Sequence, residues 1–389
     1  MTAKRRSLPP AIALLLLAPW AAECAWGGFT LAGMPFVVLV LAPMYGGAAL
    51  LIRETARRLG LGWPGIVALA AAFGVIQAGL VDQSLFNPGF LDDTEFADTQ
   101  AVAQQTMVPG LGFSARQAVD YVGNHVALSI CAPIALVESF LGADRRPRPW
   151  LGRPGLTVVA LLWLAGSLLV FADDGGRKNF LAAPAQLAFA TVVALALIAT
   201  ALLRRRRPVD HTTRPAPHRP SPAATVTPTE PNAPRPLTPD TPTPPGQARP
   251  VSSTNQPVPD RPRSVSSTTR PTPRPAWIGL VVAVAYAGAG LAPGWPGIAL
   301  ALALAAAAAV LLVRWSRRPG WGQRHVLAAA SASLLVAAAY AYAVPTYAPA
   351  TPAAALVGDV AISVIVLALV GGAWWRLRAP RSRAHEPAR

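Results

Sequence analysis

Lysine and arginine are distributed along this chain in a way that constrains its fold more than any other feature. Ten apolar runs alternate with polar segments, and threading the runs through a membrane places 31 of the 34 Lys and Arg residues on one side. Cytoplasmic segments retain positive charge because such segments resist translocation. The pattern therefore predicts an all-α, polytopic membrane protein with both termini in the cytoplasm.

A helix crosses the hydrocarbon core of a bilayer with about 20 apolar residues. The ten runs are close to that length, and hydrophobic residues make up 53% of the sequence, which is typical of a membrane protein. The weakest runs are the first, which contains Pro19 and Glu23, and the seventh, which is short. The predicted spans cover residues 8–25, 30–52, 62–81, 118–141, 154–171, 183–203, 277–291, 297–313, 325–344 and 354–375.

The first run also has features of a secretory signal peptide, because the basic residues 4–6 precede it. Its end, Glu23-Cys24-Ala25, is a poor cleavage site of the small-x-small type, and Glu23 spoils a lipobox before Cys24. We therefore expect this helix to be retained. Frequent Ala, Arg, Pro and Gly are typical of a high-GC bacterial gene, for which the membrane would be the plasma membrane.

Residues 204–276 interrupt the membrane pattern completely. They open with four arginines and contain 20 of the chain's 41 prolines, interleaved with Ser, Thr and Arg. Such a segment cannot bury enough apolar surface to offset its chain entropy, so we predict a disordered cytoplasmic linker. The chain then consists of a six-helix membrane region (1–203), this linker, a four-helix membrane region (277–376) and a basic cytoplasmic tail (377–389).

The linker suggests two roles. Proline spacings such as Pro231 to Pro234 and neighbouring threonines would suit a cytoplasmic protein partner or a kinase. In a tract so rich in proline these spacings arise by chance, and a simple tether held to anionic headgroups is the interpretation we favour. The net charge of +16 is explained by cytoplasmic loops lying against anionic lipid, so we expect no nucleic-acid partner.

Polar side chains inside membrane spans are costly to bury and are therefore the default candidates for function. In this chain they concentrate where the third run ends and the fourth begins, at the predicted outer face. The loop between these runs holds their ends at similar depth, and Glu23 of the first run could join them. We predict a ligand-binding site there, formed by Gln77, Asp82, Asn87, Asp120, Asn124 and His125.

The outer loop of residues 83–117 covers this predicted site. It carries four acidic residues and a single basic one, Arg116, together with dispersed Phe residues. It would act as a lid or as a funnel for cations. The alternative is an ordinary solvated loop, kept free of Lys and Arg by the topology rule.

His125 is the only histidine deep within a predicted span. A lone imidazole in a helix bundle most often hydrogen-bonds a neighbour, and a functional role is the alternative. A catalytic zinc site needs about three protein ligands and a general base. Only Asp82, Asp120 and Glu23 are available beside His125, so we predict no metal site, no cofactor and no catalytic residue.

A second set of charged residues lies at the predicted cytoplasmic ends of the second and fourth runs. Glu54 and Arg57 close the second run, and Glu138 lies just inside the end of the fourth. We predict that Glu138 forms an ion pair with one of the arginines near Glu54. Charges buried in a bundle pair with one another, and such a pair is more often structural than catalytic.

Between Tyr45 and Pro88 the chain carries a series of short motifs, which continue with Asn124-His125 and the stretch from Pro133 to Glu138. They are similar to motifs in a group of bacterial multi-pass membrane proteins, over residues 1–140. The resemblance implies a polytopic membrane protein and no particular activity. The motifs include Gly46-Gly47, Arg53-Glu54, Gly62-Trp63-Pro64, Gly79-Leu80-Val81 and Gln83-Ser84-Leu85-Phe86-Asn87-Pro88.

Gln77-Ala78 and His125 also bear a fainter resemblance to the CAAX-protease-like (CPBP) intramembrane enzymes. Those enzymes carry paired glutamates in one helix and histidines in later ones. This chain has Gln77-Ala78 at the comparable place, and His125 is its only candidate histidine. The resemblance therefore implies a relative that has lost this chemistry.

Three functions follow as hypotheses. The one we favour is a permease-like or ligand-binding membrane protein, because a polar cluster without a complete catalytic set suits binding better than bond breaking. The second is a degenerate relative of the CPBP proteases. The third is a non-catalytic scaffold that acts through its cytoplasmic linker.

Overall fold

The computed structural model describes residues 8–203 and 271–378. These residues form helices and turns, and the only β pairing among them is an isolated bridge between Met107 and Ser114. We number the ten long helices in chain order and count each π-helical stretch with the helix that contains it. Their bounds are α1 Leu8–Cys24, α2 Met34–Leu59, α3 Gly62–Val81, α4 Ala115–Ser139, α5 Arg153–Lys178, α6 Pro184–Leu203, α7 Pro275–Gly288, α8 Gly294–Ser316, α9 Gln323–Ala343 and α10 Pro352–Arg378.

Several predicted features lie outside the described residues. These are the disordered linker up to residue 270, the basic residues 4–6 and the tail from residue 379. The described residues on both sides of the linker belong to one compact unit.

The apolar helices fit a multi-pass membrane protein. By length and composition, eight helices in the described residues can cross a membrane. The two shorter apolar helices are α1 and α7, which correspond to the two weakest predicted spans. The all-helical fold is confirmed, whereas the count of ten spans stays a prediction.

The core of the bundle lies around α3, α4 and α9. In these helices 56–61% of the most apolar stretch is buried, against 17–22% in α5, α6, α8 and α10. The latter four helices present long apolar faces outward, as helices that face lipid do. Helix α9 packs against α4, α7 and α10, so it joins the helices before the linker to those after it. Gln77 on α3 and Ser129 on α4 are therefore held in the interior.

Contacts between helix ends give the bundle two ends: Gln323 at the start of α9 bonds Ser139 at the end of α4, and the Tyr347 amide after α9 bonds the Gly28 carbonyl after α1. We call the end that carries the close of α2 and residues 140–152 the basic end, and the end that carries residues 82–114 the loop end. The described Lys and Arg residues, apart from those at positions 116, 177 and 178, belong to the basic end. The charge asymmetry of the sequence is thus an asymmetry between the two ends of the bundle.

Four helices contain a π-helical segment. These segments are Trp20–Cys24 in α1, Ala42–Gly46 in α2, Gln77–Val81 in α3 and His125–Cys131 in α4. In three of them a proline explains the distortion, since proline cannot donate to the helical ladder and its ring clashes with the preceding turn. Pro19 precedes the first segment, Pro43 lies in the second and Pro133 follows the fourth. The third contains no proline.

Candidate functional site

Each π segment carries one polar side chain: Glu23 in α1, Tyr45 in α2, Gln77 in α3 and His125 in α4. Tyr45 contacts both Glu23 and His125, and Phe73, one turn before Gln77 on α3, packs against Tyr45 and His125. Asp82 follows directly on the third segment. We call Glu23, Tyr45, Gln77, Asp82 and His125 the π cluster. Single-turn π segments inside α-helices occur frequently at functional sites, because the extra residue redirects side chains and backbone carbonyls.

Tyr45 stands at the centre of the π cluster. Its hydroxyl donates a hydrogen bond to Glu23 Oε1 at 2.5 Å. Its ring lies 5.7 Å from the His125 ring and 5.9 Å from the Phe73 ring, measured between centroids. Tyr45 therefore links the Glu23 carboxylate to the histidine.

Gln77 is the most deeply placed polar group of the cluster. Its side chain is 1% exposed, and its amide Nε2 donates to Asp82 Oδ2 at 3.2 Å. Its carbonyl Oε1 is buried and has no hydrogen-bond partner. Three further atoms in the described residues share that condition, but they are two indole N–H groups and a serine hydroxyl. A buried acceptor without a donor costs about 1–3 kcal/mol. A ligand that donates a hydrogen bond to this carbonyl would remove that cost.

Strained backbone follows Asp82. Gln83 has a φ of 53°, the left-handed region that residues other than glycine rarely adopt. The side chain of Gln83 is buried and accepts a hydrogen bond from the Ala182 amide at 2.7 Å, in the turn between α5 and α6. The Ser84 amide donates to Asp82 Oδ1 at 2.8 Å. These contacts fix the direction of the Asp82 carboxylate, and such strain is concentrated at functional sites.

His125 is held between α3 and α4. Its Nδ1 hydrogen-bonds Ser129 Oγ at 3.1 Å, one turn along α4, and its ring meets Phe73 edge to face at 5.5 Å. The helices approach closely here because Gly74 has no side chain. A Cβ at this position would lie 3.1 Å from both His125 Cβ and Val122 Cα.

The π cluster is only partly buried. Tyr45 and Gln77 are buried, whereas Glu23, Asp82 and His125 are each partly exposed. Carboxylates within an apolar bundle require water, a partner or a ligand.

The structure divides the six predicted site residues. Gln77, Asp82 and His125 belong to the π cluster. Asp120 forms an ion pair with Arg116 at 2.7 Å. Asn124 accepts a hydrogen bond from the Tyr286 hydroxyl of α7 at 2.6 Å, so Asp120 and Asn124 lie on another face of α4. Asn87 lies in the loop, where its Oδ1 accepts a hydrogen bond from the Gly89 amide at 3.0 Å. These last three stabilise local structure instead of lining the cluster.

Aromatic rings cover the loop end beside the π cluster. Tyr347 packs against Phe96, Trp26 and Phe29 with centroid distances of 5.1, 5.5 and 5.3 Å. The Glu95 amide of the loop donates to the Tyr347 carbonyl at 3.2 Å. Trp26 lies three residues after Glu23, and its indole N–H donates to the Ala22 carbonyl at 2.8 Å. The rings therefore lie near Glu23 of the cluster, and a backbone hydrogen bond joins them to the acidic loop.

A second polar cluster lies at the basic end. Arg53, Glu54 and Glu138 are completely buried. Arg53 donates hydrogen bonds to Glu54 at 2.7 Å and to Glu138 at 3.1 Å. Arg57 donates two hydrogen bonds to Glu138, at 2.9 and 2.6 Å. The expected pairing of Glu138 therefore involves both arginines. We call Arg53, Glu54, Arg57 and Glu138 the arginine cluster.

The arginine cluster also ties in the turn before α5. Arg53 Nη2 donates to the carbonyls of Arg146 and Arg148 at 2.8 and 3.0 Å, and its guanidinium lies 3.4 Å from the centre of the Trp150 ring. The Trp150 amide in turn donates to Glu54 Oε1 at 2.8 Å. Every carboxylate oxygen of the cluster accepts a hydrogen bond. The cluster therefore joins α2, α4 and this turn.

Sequence reasoning overlooked Tyr45 and Gln83 as site residues. A hydroxyl in mid-run beside Pro43 was the available signal for Tyr45, because a proline distorts the helix next to that polar group. No local pattern indicates the left-handed backbone of Gln83. Pro19, Pro43 and Pro133 mark three of the π segments in the sequence, whereas nothing in it marks the one that begins at Gln77.

Comparisons with known proteins add no relative. No family model matches the chain, and neither a curated protein nor a solved structure matches it. The resemblances to bacterial multi-pass proteins and to the CPBP enzymes therefore stay predictions. Within the described residues, no group of three or more His, Cys, Asp and Glu side chains is placed to hold a metal ion.

Proposed function

We propose that this chain is a permease-like membrane protein that binds a small polar solute at the π cluster. The observation that carries the proposal is the contact of Tyr45 with Glu23 and His125, polar residues of three π segments, together with the unpartnered carbonyl of Gln77 in the fourth. Regular helices would satisfy their own backbone and could pack with apolar contacts alone. Distorting helices where their polar side chains lie is costly, and binding is the function that best explains the cost.

The arrangement along the bundle supports a site that opens at one end. At the loop end the carboxylates of the π cluster are partly exposed. At the basic end the arginine cluster ties α2, α4 and the turn before α5 together with buried ion pairs. A solute would therefore enter from the loop end, and the arginine cluster would close the way to the other side.

The charge asymmetry supports an orientation for this site. Positively charged segments remain in the cytoplasm, so the basic end would face inward. The loop end and the π cluster would then be reached from outside the plasma membrane. Both termini would be cytoplasmic, as the sequence predicts.

Thermal unfolding of the detergent-purified protein tests the proposal. Small cationic, neutral and anionic solutes would be added to the wild type and to His125→Ala and Gln77→Leu. A solute at ten times its Kd stabilises the folded state by about 1.4 kcal/mol, which corresponds to a rise in Tm of roughly 3–5 °C. We expect this rise in the wild type and its loss in both variants.

Two controls decide how the result is interpreted. Gln104→Leu makes the same chemical change at an exposed loop residue and should keep the rise. Deletion of residues 208–268 should keep it too. A panel without any rise in the wild type, or a rise that all variants share, would contradict solute binding at the π cluster. Counterflow of the stabilising solute in proteoliposomes would then separate a permease from a receptor.

A further inference from the structure

The chemistry of the π cluster narrows the class of solute beyond the proposed function, on which this inference rests. We propose that the ligand is a small organic cation, a protonated amine whose ammonium group donates hydrogen bonds to the cluster. Four observations support this assignment: the charge of the cluster, its unpartnered acceptor, the neighbouring aromatic rings and the acidic loop.

The charge of the cluster is negative. Glu23 and Asp82 contribute two carboxylates, of which Glu23 accepts from the Tyr45 hydroxyl and Asp82 accepts from the Gln77 amide. The other members, Tyr45, Gln77 and His125, carry no fixed positive charge. Carboxylates in a medium of low dielectric are costly, and a bound cation lowers that cost.

The unpartnered acceptor indicates a ligand that donates hydrogen bonds. Gln77 Oε1 is buried without a partner, and its own amide group is bonded to Asp82. The carbonyl oxygen belongs to the same amide group as the nitrogen that bonds Asp82, so it lies close to that carboxylate. An ammonium group has three N–H donors and no acceptor, so it can satisfy the carbonyl and the carboxylate together. An anion or an ether could satisfy neither.

The number of ligand groups suits an amine better than a divalent ion. Ca²⁺ takes about 6–8 oxygen ligands and Mg²⁺ about six. Within the described residues, no three or more acids and histidines are placed to surround such an ion. The three N–H donors of an ammonium group need only the Gln77 carbonyl and the neighbouring Asp82 carboxylate.

The surroundings of the cluster are suited to a cation with an apolar body. Trp26, Phe96 and Tyr347 lie beside it at the loop end, and aromatic faces attract ammonium groups through their quadrupole. The loop above carries Asp92, Asp93, Glu95 and Asp98, of which Asp93 pairs with Lys178 at 2.6 Å. A loop of this charge raises the local concentration of cations.

Three probes of the same size test the assignment: butylammonium chloride, 1-butanol and potassium butyrate, at constant ionic strength and up to 50 mM. Each is added to the wild type and to Glu23→Gln and Gln77→Leu, with Asp144→Asn and Gln104→Leu as exposed controls of matched chemistry. Each Tm shift is taken relative to the same variant without probe, so a change in basal stability does not obscure binding.

We expect butylammonium alone to raise the Tm of the wild type and of both controls, by about 2 °C or more. We expect the rise to disappear in Glu23→Gln and in Gln77→Leu. A rise with butanol or butyrate that depends on the same residues would overturn the cationic class and leave solute binding in place. If none of the three probes shifts the wild type while another solute does, the amine assignment is also overturned. If no solute shifts it at all, both proposals fail.

Discussion

The π cluster and the arginine cluster are two buried polar groups built into the same helices, and they differ in how their groups are satisfied. In the arginine cluster every carboxylate oxygen has a donor, and the buried guanidinium of Arg53 also binds two backbone carbonyls. In the π cluster the carbonyl of Gln77 has no partner, and Glu23 and Asp82 remain partly exposed. The first cluster is complete without a ligand, whereas the second is not.

The backbone that carries each cluster also differs between the two. The arginine cluster is carried by regular α-helical residues of α2 and α4. Every helix that contributes to the π cluster is locally distorted. A satisfied network on a regular backbone rigidifies and specifies a fold, while an incomplete one on a strained backbone is a candidate for binding. Three predictions test whether the arginine cluster is structural and the π cluster binds a ligand, beginning with the largest expected change in stability.

Glu138→Gln should destabilise the protein most. It removes the charge that neutralises Arg53 and Arg57 in a buried site, and breaking a buried ion pair costs about 3–5 kcal/mol. Thermal or denaturant unfolding in detergent measures the loss. Glu95→Gln, at an exposed residue, should change the free energy of unfolding by less than about 0.5 kcal/mol. Equal stability of the two variants would mean that the arginine cluster is not structural.

Gly74→Ala should have an intermediate effect. The added methyl group would lie 3.1 Å from Val122 Cα and His125 Cβ, so α3 and α4 must separate, at a cost of about 1–3 kcal/mol. Gly123 in α4 has nothing within 4 Å of the corresponding position. Gly123→Ala should therefore be neutral or stabilising by about 0.4–1 kcal/mol. Similar losses from both variants would argue against close packing of the helices at His125.

Gln77→Leu should have the smallest effect on stability although the residue is as buried as Glu138. It removes one hydrogen bond to Asp82 but also removes the unpartnered carbonyl, and the two contributions offset each other to within about 1 kcal/mol. The free energy of unfolding in the absence of solute measures the balance. A loss as large as that of Glu138→Gln would show that the π cluster holds the fold together.

The sequence predicts the helices better than it predicts the site, for physical reasons. Apolar runs report burial in lipid or protein directly, so the positions of the helices could be read from them. Gln77, Asp82 and His125 could be chosen because polar groups are costly in such runs. Asp120 and Asn124 were chosen on the same ground, but Arg116 and Tyr286 satisfy them locally.

The remaining features depend on contacts between distant residues. Arg53 is buried because the carbonyls of Arg146 and Arg148 and the ring of Trp150 fold over it, and no pattern within α2 indicates those partners. The π segment that contains Tyr45 arises beside Pro43, yet many prolines in membrane helices produce only a bend. The position of a polar residue along its helix can therefore be predicted from the sequence, whereas the residues that it contacts on other helices cannot.

Chemical access to position 125 tests the central claim most directly. In a background with Cys24→Ala and Cys131→Ala, His125→Cys and Ser139→Cys would be treated with a membrane-impermeant cationic thiosulfonate that modifies thiols in water. His125 is partly exposed in the middle of α4, and Ser139 is fully buried at the basic end. We expect modification of His125→Cys in the folded protein and of Ser139→Cys only after denaturation. Protection of both until denaturation would contradict a solute-accessible π cluster.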